Sequence, residues 1–465
     1  MEAGLDAKYE EMTREPIPRL VLRLAIPSMV CMVVTALYNV ADAAFVGRLS
    51  TEATAGIGIC FAYMTFIQAV GFFFGHGSGN HISRSLGARR EEDASQMASV
   101  GFFTPVIIGL VSAAIGLPLL PRLAVMLGAP PDVVPYACQY LRYILIASPL
   151  MMSALTLNNQ LRLQGNAMVG MVGIVSGAVL NIALDPLLIF VCDMGVRGAG
   201  LATAISQTLS WLLLFLGTRR EGCVAIHLNN FRPTAHLYHE ILAGGLPSLC
   251  RQGFNCAAAV MLNYAAARYA PAGQEASSVA AFAVVSRTMM FAFSLALGFN
   301  QGFQPVSGYN YGAKKYGRVR ESYLYALSVS SLILLALATA GFFWAEEIML
   351  LFRSEDPDMV AIGARAMRWQ CLSFPLIGLS TSTNMLFQNI RMTFRSTLLS
   401  IGRQGLFFIP AILVLPRLWG IHGVEMAQAV ADACTFLLAI PFAIGISRKL
   451  KNNQTKHTPN PLKPS

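Results

Sequence analysis

The sequence predicts an all-α integral membrane protein. It should hold about twelve transmembrane helices in two parallel six-helix bundles, related by a pseudo-twofold axis along the membrane normal. Three observations predict this. The 465-residue chain is 55% hydrophobic and only 12% charged, with mean hydropathy +0.55, about half the charged fraction of a soluble domain. Apolar runs of about twenty residues recur from end to end, each long enough to cross a bilayer core of ~30 Å. The chain also repeats itself at a nearly constant offset.

The elements follow in order. Before residue 20 the chain is charged and polar. The first apolar run, 20–47, is well past signal-peptide length and lacks a clear cleavage pattern, so it reads as an anchored span. Further spans are expected at 55–78, 96–120, 137–160, 168–192 and 197–217. These close an N-terminal bundle over residues 1–217. A polar cytoplasmic linker occupies 218–238 and contains TRREGCVAIHLNNFRPTAH. A second set is expected at 239–267, 278–302, 321–345, 362–387, 396–416 and 421–446, giving a C-terminal bundle over 239–447. The tail, 448–465, is polar and is expected to be disordered.

Four pairs of segments carry the repeat: AIPSMV with GLPSLC, SRSLGARR with SGYNYGAKK, YLRYILIASPL with AMRWQCLSFPL, and MGVRGAGLATA with WGIHGVEMAQA. Their offsets run from 220 to 226 residues. Each half has an even number of spans, so both halves enter the membrane in the same direction, which makes the repeat parallel. Two such bundles facing each other would form a central cleft able to alternate its opening.

Loop charges orient the map. With the N-terminus in the cytoplasm, 22 Lys and Arg fall on the cytoplasmic side and 7 on the other. That is a strong positive-inside bias, and it puts both termini in the cytoplasm. The formal charge of +10 is thereby explained by basic loops rather than by nucleic-acid binding. The nine cysteines are scattered without CxxC pairs, and read as small buried hydrophobes.

The stretch NIALDPLLIF, residues 181–190, places Asp185 and Asn181 inside an apolar span. An ionisable group there is costly and marks function by default. Together with LYNVADAAFVGRL, GHGSGNHISRSLGARREEDA and GVRGAGLATAISQ, it resembles the multidrug and toxic compound extrusion (MATE) transporters over roughly residues 18–447. The resemblance implies an exporter of organic cations and other amphipathic compounds, driven by inward flow of protons or sodium ions. It is nearest to the branch whose cation site lies in the N-terminal half. Carried over, that site comprises Asp42, Asn181, Asp185 and Thr203, with Tyr140 in the same network. The same residues would ligate the metal if the ion is sodium. The resemblance also implies that bending of the first helix links ion binding to substrate release. Pro27 lacks a backbone donor and gives that helix a natural bend. Tyr38 and Asn158 are candidate substrate contacts, with plain packing an equal reading.

Depth gives an independent check. Asp42 lies 19 residues after Arg23, and Asp185 lies 19 after Asn166, so both sit about 28 Å along outward-running helices. Thr203 is six residues past Arg197 on a helix running back, about 9 Å below the outer surface. The levels agree. Two carboxylates with neutral oxygen donors could share a proton, since like charges held together resist joint ionisation, or could ligate sodium.

The C-terminal half has no counterpart to this pair: Ile409 and Pro410 align with Asp185 and Pro186. It carries Arg251, Arg287 and Arg403 within spans, and Glu425 and Asp432 on the last helix. Equal depth predicts an Arg403–Asp432 pair with a structural role. GFFFGHGSGN lacks the Gly-Lys-Ser/Thr ending of a phosphate loop. Its glycines read as helix-packing positions, with His76 and His81 near the cytoplasmic end and not ligands.

The expected function is therefore a secondary active exporter, without cofactor and not an enzyme, in the plasma membrane (the inner membrane of a Gram-negative cell). A flippase for lipid-linked oligosaccharides is the alternative, kept open by the three arginines. The expected partners are the lipid bilayer and a small amphipathic or cationic molecule, to which 21 methionines would offer soft, adaptable contacts. Oligomeric state is not encoded in any motif.

Overall fold

A computed structural model describes residues 2–352 and 356–457, and among these every regular element is a helix. The helices are α1 (Glu2–Arg14), α2 (Ile17–Val46), α3 (Thr51–Gly87), α4 (Glu91–Gly116), α5 (Leu120–Met126), α6 (Val134–Leu163), α7 (Ala167–Pro186), α8 (Gly195–Gly217) and α9 (Ala235–Arg268). The second half continues with α10 (Glu275–Gly312), α11 (Tyr316–Phe343), α12 (Ala345–Phe352), α13 (Pro357–Ser373), α14 (Ile377–Asn389), α15 (Thr393–Ile401), α16 (Phe408–Trp419) and α17 (Ile421–His457). Among the described residues, ten helical segments are long and apolar enough to cross a membrane, so this is a multi-pass membrane protein. Two expected spans are not among those ten. The seventh, α9, carries Arg251, Gln252 and Asn255 in its middle. The tenth is divided between α13 and α14 by a 3-10 turn at Phe374–Leu376 and contains Arg365 and Arg368.

Local chemistry fixes the helix ends. The Ser50 hydroxyl accepts from the Ala53 N–H to cap α3, and the Asp356 carboxylate accepts from the Met359 N–H to cap α13, where Pro357 holds the first position. Glu91, Glu92 and Asp93 fill the first turn of α4, where carboxylates meet the positive end of the helix dipole. Pro27 lies inside α2.

The repeat is visible in the backbone. Arg89 and Lys314, 225 residues apart, both take positive φ (56° and 58°) where a long helix turns into the next. Gly195 and Gly420, also 225 apart, take φ of 53° and 57°. Left-handed backbone is costly for a side chain, so its recurrence at Arg89 and Lys314 marks one connection used twice. A short helix follows the third long helix of each half (α5, α12), and a π turn falls in each fifth (Leu187–Val191, Gly402–Leu406).

The chain divides into two compact units. One comprises residues up to Glu15 and Arg23–Leu249; the other comprises Pro16–Leu22 and residues from Cys250 on. In the first, α6 packs against α3, α4, α7 and α8. Gly71, Gly75 and Gly79 form one face of α3 against Leu155, Asn159 and Leu163 of α6, so close that a Cβ at any of them would overlap a side chain. GFFFGHGSGN is thus a close-packing face, as expected. The segment 218–238 lies wholly within this unit. In the second, α10 packs against α11, α13 and α14, and α17 against α11, α13, α14 and α16.

Two features were not expected. The charged start of the chain is a helix, α1. The last helix continues to His457, through the first part of the segment expected to be disordered; the rest of that segment, 458–465, lies outside the described residues.

Candidate functional site

The expected cation-site residues come together inside the first unit. Asp185 is the penultimate residue of α7. Pro186 follows without an N–H to donate, and the next residues, Leu187–Val191, wind as a π turn. Asp185 is completely buried, and Asn181, Thr203 and Tyr140 are almost so. Asn181, one turn earlier, donates from Nδ2 to Asp185 Oδ1 at 3.4 Å. Asp42 on α2 brings its carboxyl against that of Asp185. The phenols of Tyr38 on α2 and Tyr140 on α6 both approach the Thr203 hydroxyl on α8. That hydroxyl donates its proton to the Ala199 carbonyl oxygen at 3.0 Å, which leaves its oxygen as an acceptor toward the site.

The acceptors outnumber the donors. Asp42 Oδ1, Asp185 Oδ2 and Asn181 Oδ1 are buried with no hydrogen-bond partner. Buried polar atoms in folded proteins are ordinarily satisfied, so three such oxygens at one point mark a place for something electropositive. Oxygen-only ligation suits a hard cation, and two adjoining carboxyls suit a proton. Asn158, read as either a substrate contact or a packing residue, donates to the Gly170 carbonyl at 3.2 Å and ties α6 to α7. Pro27 sits fifteen residues before Asp42 on α2.

The second unit treats its acids differently. Asp432 accepts from Arg403 Nε at 2.8 Å, from Gln428 at 2.9 Å and from Ser373 at 3.3 Å. Arg403 also lies over the Phe293 ring at 4.9 Å. Glu425 is held by Arg365 at 3.0 Å and by His422 at 3.0 Å. Both carboxylates are paired with arginine, and the predicted Arg403–Asp432 pair is present.

One cluster was not read from the sequence as a unit. His81 on α3 lies 3.0 Å from Asp93 of α4 and 3.3 Å from Glu240 of α9, which also takes Arg84 at 3.2 Å. His76 sits 3.2 Å from Ser248 and 3.3 Å from Arg162. Two histidines within a glycine-rich helix were the available signal. Their partners lie up to 172 residues away, beyond the reach of local spacing.

The MatE family profile matches residues 27–187 and 261–413, about two thirds of the chain and both halves of its repeat. The chain belongs to the MatE family. Among its relatives is the multidrug export protein MepA of Staphylococcus haemolyticus (strain JCSC1435), 26% identical over 440 residues that cover 94% of each chain. Crystal structures of MATE in the straight and the bent conformation superpose with TM-scores of 0.88 and 0.87, at 27% and 26% identity, covering 96% of this chain and 99% of theirs. The first MatE match begins at Pro27 and ends two residues past Asp185, so the whole stretch between the bend in α2 and the acid of α7 lies within it.

Proposed function

We propose that the protein is a multidrug exporter that couples outward movement of amphipathic and cationic compounds to inward flow of a proton or a sodium ion. The observation that carries this reading is the set of unpartnered oxygens on Asp42, Asp185 and Asn181, buried in a MatE chain whose relatives include a named multidrug export protein. Bringing two carboxylates together in a buried site costs energy unless a cation neutralises them. Ion binding therefore changes how tightly α2 and α7 hold together. Pro27 breaks the hydrogen-bond ladder of α2 and gives that helix a place to bend in response. Alternating access by the two repeated halves would then exchange ion for substrate. Both termini face the cytoplasm, and the membrane is the plasma membrane.

Efflux of ethidium from vesicles containing the purified protein tests this, with proton and sodium gradients imposed separately. Uphill movement under one gradient and not the other identifies the ion. Absence of uphill movement under both, with protein shown to be inserted, overturns the reading.

A further inference from the structure

We propose that Arg251 and Arg287 form a subsite in the second unit for the anionic headgroup of an amphipathic molecule, so that the substrates include organic anions with an apolar body. The proposal rests on the export function above and narrows its substrate class.

The second unit provides its own contrast. Arg403 and Arg365 are each matched to a buried carboxylate. Arg251 and Arg287, among the described residues, make no ion pair or hydrogen bond. A guanidinium stays charged throughout the accessible pH range. In the hydrocarbon region it must therefore meet water, a carboxylate or a bound anion.

Both arginines are deep. Arg287 lies twelve residues into α10, about 18 Å from its start, and Arg251 lies seventeen residues before the end of α9, about 26 Å from it. Only residues 269–274 join these two ends, so on a shared reference the two levels differ by about 8 Å. The same region of the unit brings the helices together. Phe254, one turn past Arg251, packs on Gly405 of the π turn, and Arg403 of that turn stacks on Phe293 of α10. Side chains of α9 and α10 also share one core cluster.

The exposed face of α10 shows what else the ligand meets. Phe282, Val285 and Met289 point into the core, while Ser286, Arg287, Met290 and Phe291 are exposed. Positions i, i+3 and i+4 share a helix face. Charges within spans ordinarily face the bundle interior or a water-filled cavity, and this face is assigned to such space, where Met290 and Phe291 present an apolar surface beside the arginine. A carboxylate, sulfonate or phosphate matches the guanidinium fork, and an apolar body rests on the methionine and the ring.

The test uses the full-length protein in nanodiscs of phosphatidylcholine, with carboxyfluorescein binding followed by anisotropy. Arg251→Gln and Arg287→Gln are each expected to weaken binding about tenfold or more, the size of a lost charge-assisted contact. The lysine variants should restore part of it, and Arg417→Gln, at the exposed end of α16, should bind as the parent does. A second arm adds phosphatidylglycerol: displacement of the dye assigns the headgroup to lipid, and no displacement assigns it to a free amphiphile. Dye affinity unchanged in both glutamine variants, or no binding by the parent, overturns the proposal. A parent that exports ethidium yet ignores the dye overturns the subsite alone. Arginine-dependent dye binding without ethidium efflux keeps the subsite and overturns cation export.

Discussion

The imidazole of His81 on α3 lies 3.3 Å from the carboxylate of Glu240 on α9, with its other nitrogen 3.0 Å from Asp93 on α4. One side chain thus joins three helices, and His81 and Glu240 are both buried. Removing one member of a buried polar network strands its partners. His81→Ala is expected to cost about 1–3 kcal/mol of stability, read as a lower thermal midpoint in detergent. A double-mutant cycle with Glu240→Ala should return a coupling energy of about 0.5 kcal/mol or more. Strict additivity would show that the two groups do not act together.

Orientation is the second prediction. With 22 basic residues assigned to one side and 7 to the other, a cysteine at exposed Asp132, in the connection between α5 and α6, should react with an impermeant reagent added outside. A cysteine at Asn453 on α17 should not. The inverse pattern would invert the map.

The parts of the fold legible in the sequence were those encoded by period and chemistry. Apolar runs gave ten of the twelve expected spans as long apolar helices. The repeat at 220–226 residues paired the segments that end at Arg89 and Lys314, where the left-handed turn itself emerged only in the backbone. The cost of a charge among apolar residues singled out Asp185. Equal depth anticipated Arg403–Asp432. What could not be read was set by rotation and by distant partners. Depth levels Asp42, Asp185 and Thr203 but says nothing of rotation, and nothing in the sequence showed that Asn158 turns toward the Gly170 carbonyl. The glycines of α3 announced close packing, but not that α9 would bring Glu240 to His81. In the helix of residues 2–14, Leu5, Tyr9 and Met12 recur at helical spacing, but this short stripe sits among so many charges that the segment read only as charged and polar.

That first helix carries the third prediction. Lys8 is largely buried, 3.3 Å from Glu11. Burial first, and then the positive charge of Arg23, push its pKa down from 10.5 to about 8. Between those two values the unfolded segment binds more protons than the docked one, so docking strengthens as pH rises through that window and is weakest below it. The effect is on the order of 3 kcal/mol. The protection factors of α1 amides, the observed exchange corrected for its base-catalysed intrinsic rate, should rise from pH ~8 to ~10, and Lys8→Met should remove that rise. Equal slopes in parent and variant would show that another group controls it.

The last prediction concerns the coupling pair. Asp185→Asn keeps the size of the side chain and replaces an acceptor oxygen with a donor. Asp42→Asn does the same on α2. Neither variant can hold a second carboxylate against the first, so the site no longer requires a cation to neutralise it. Both should fold, since the site as it stands carries unsatisfied oxygens and the substitution supplies an N–H toward one of them. Each should retain ethidium binding in detergent within a few-fold and lose uphill transport under any imposed gradient. Asn181→Ala and Thr203→Val separate the two ions. Sodium needs both neutral oxygens as ligands, so if sodium is the coupling ion these variants raise the concentration needed for half-maximal transport. A proton sits on the carboxyls alone, so under proton coupling the rate at saturating gradient should survive. In the second unit, Glu425 and Asp432 are already bound to Arg365 and Arg403 and are poorly placed to take over. If Asp185→Asn still concentrates ethidium as the parent does, the pair on α2 and α7 is not the coupling group, and the neutralisation argument fails with it.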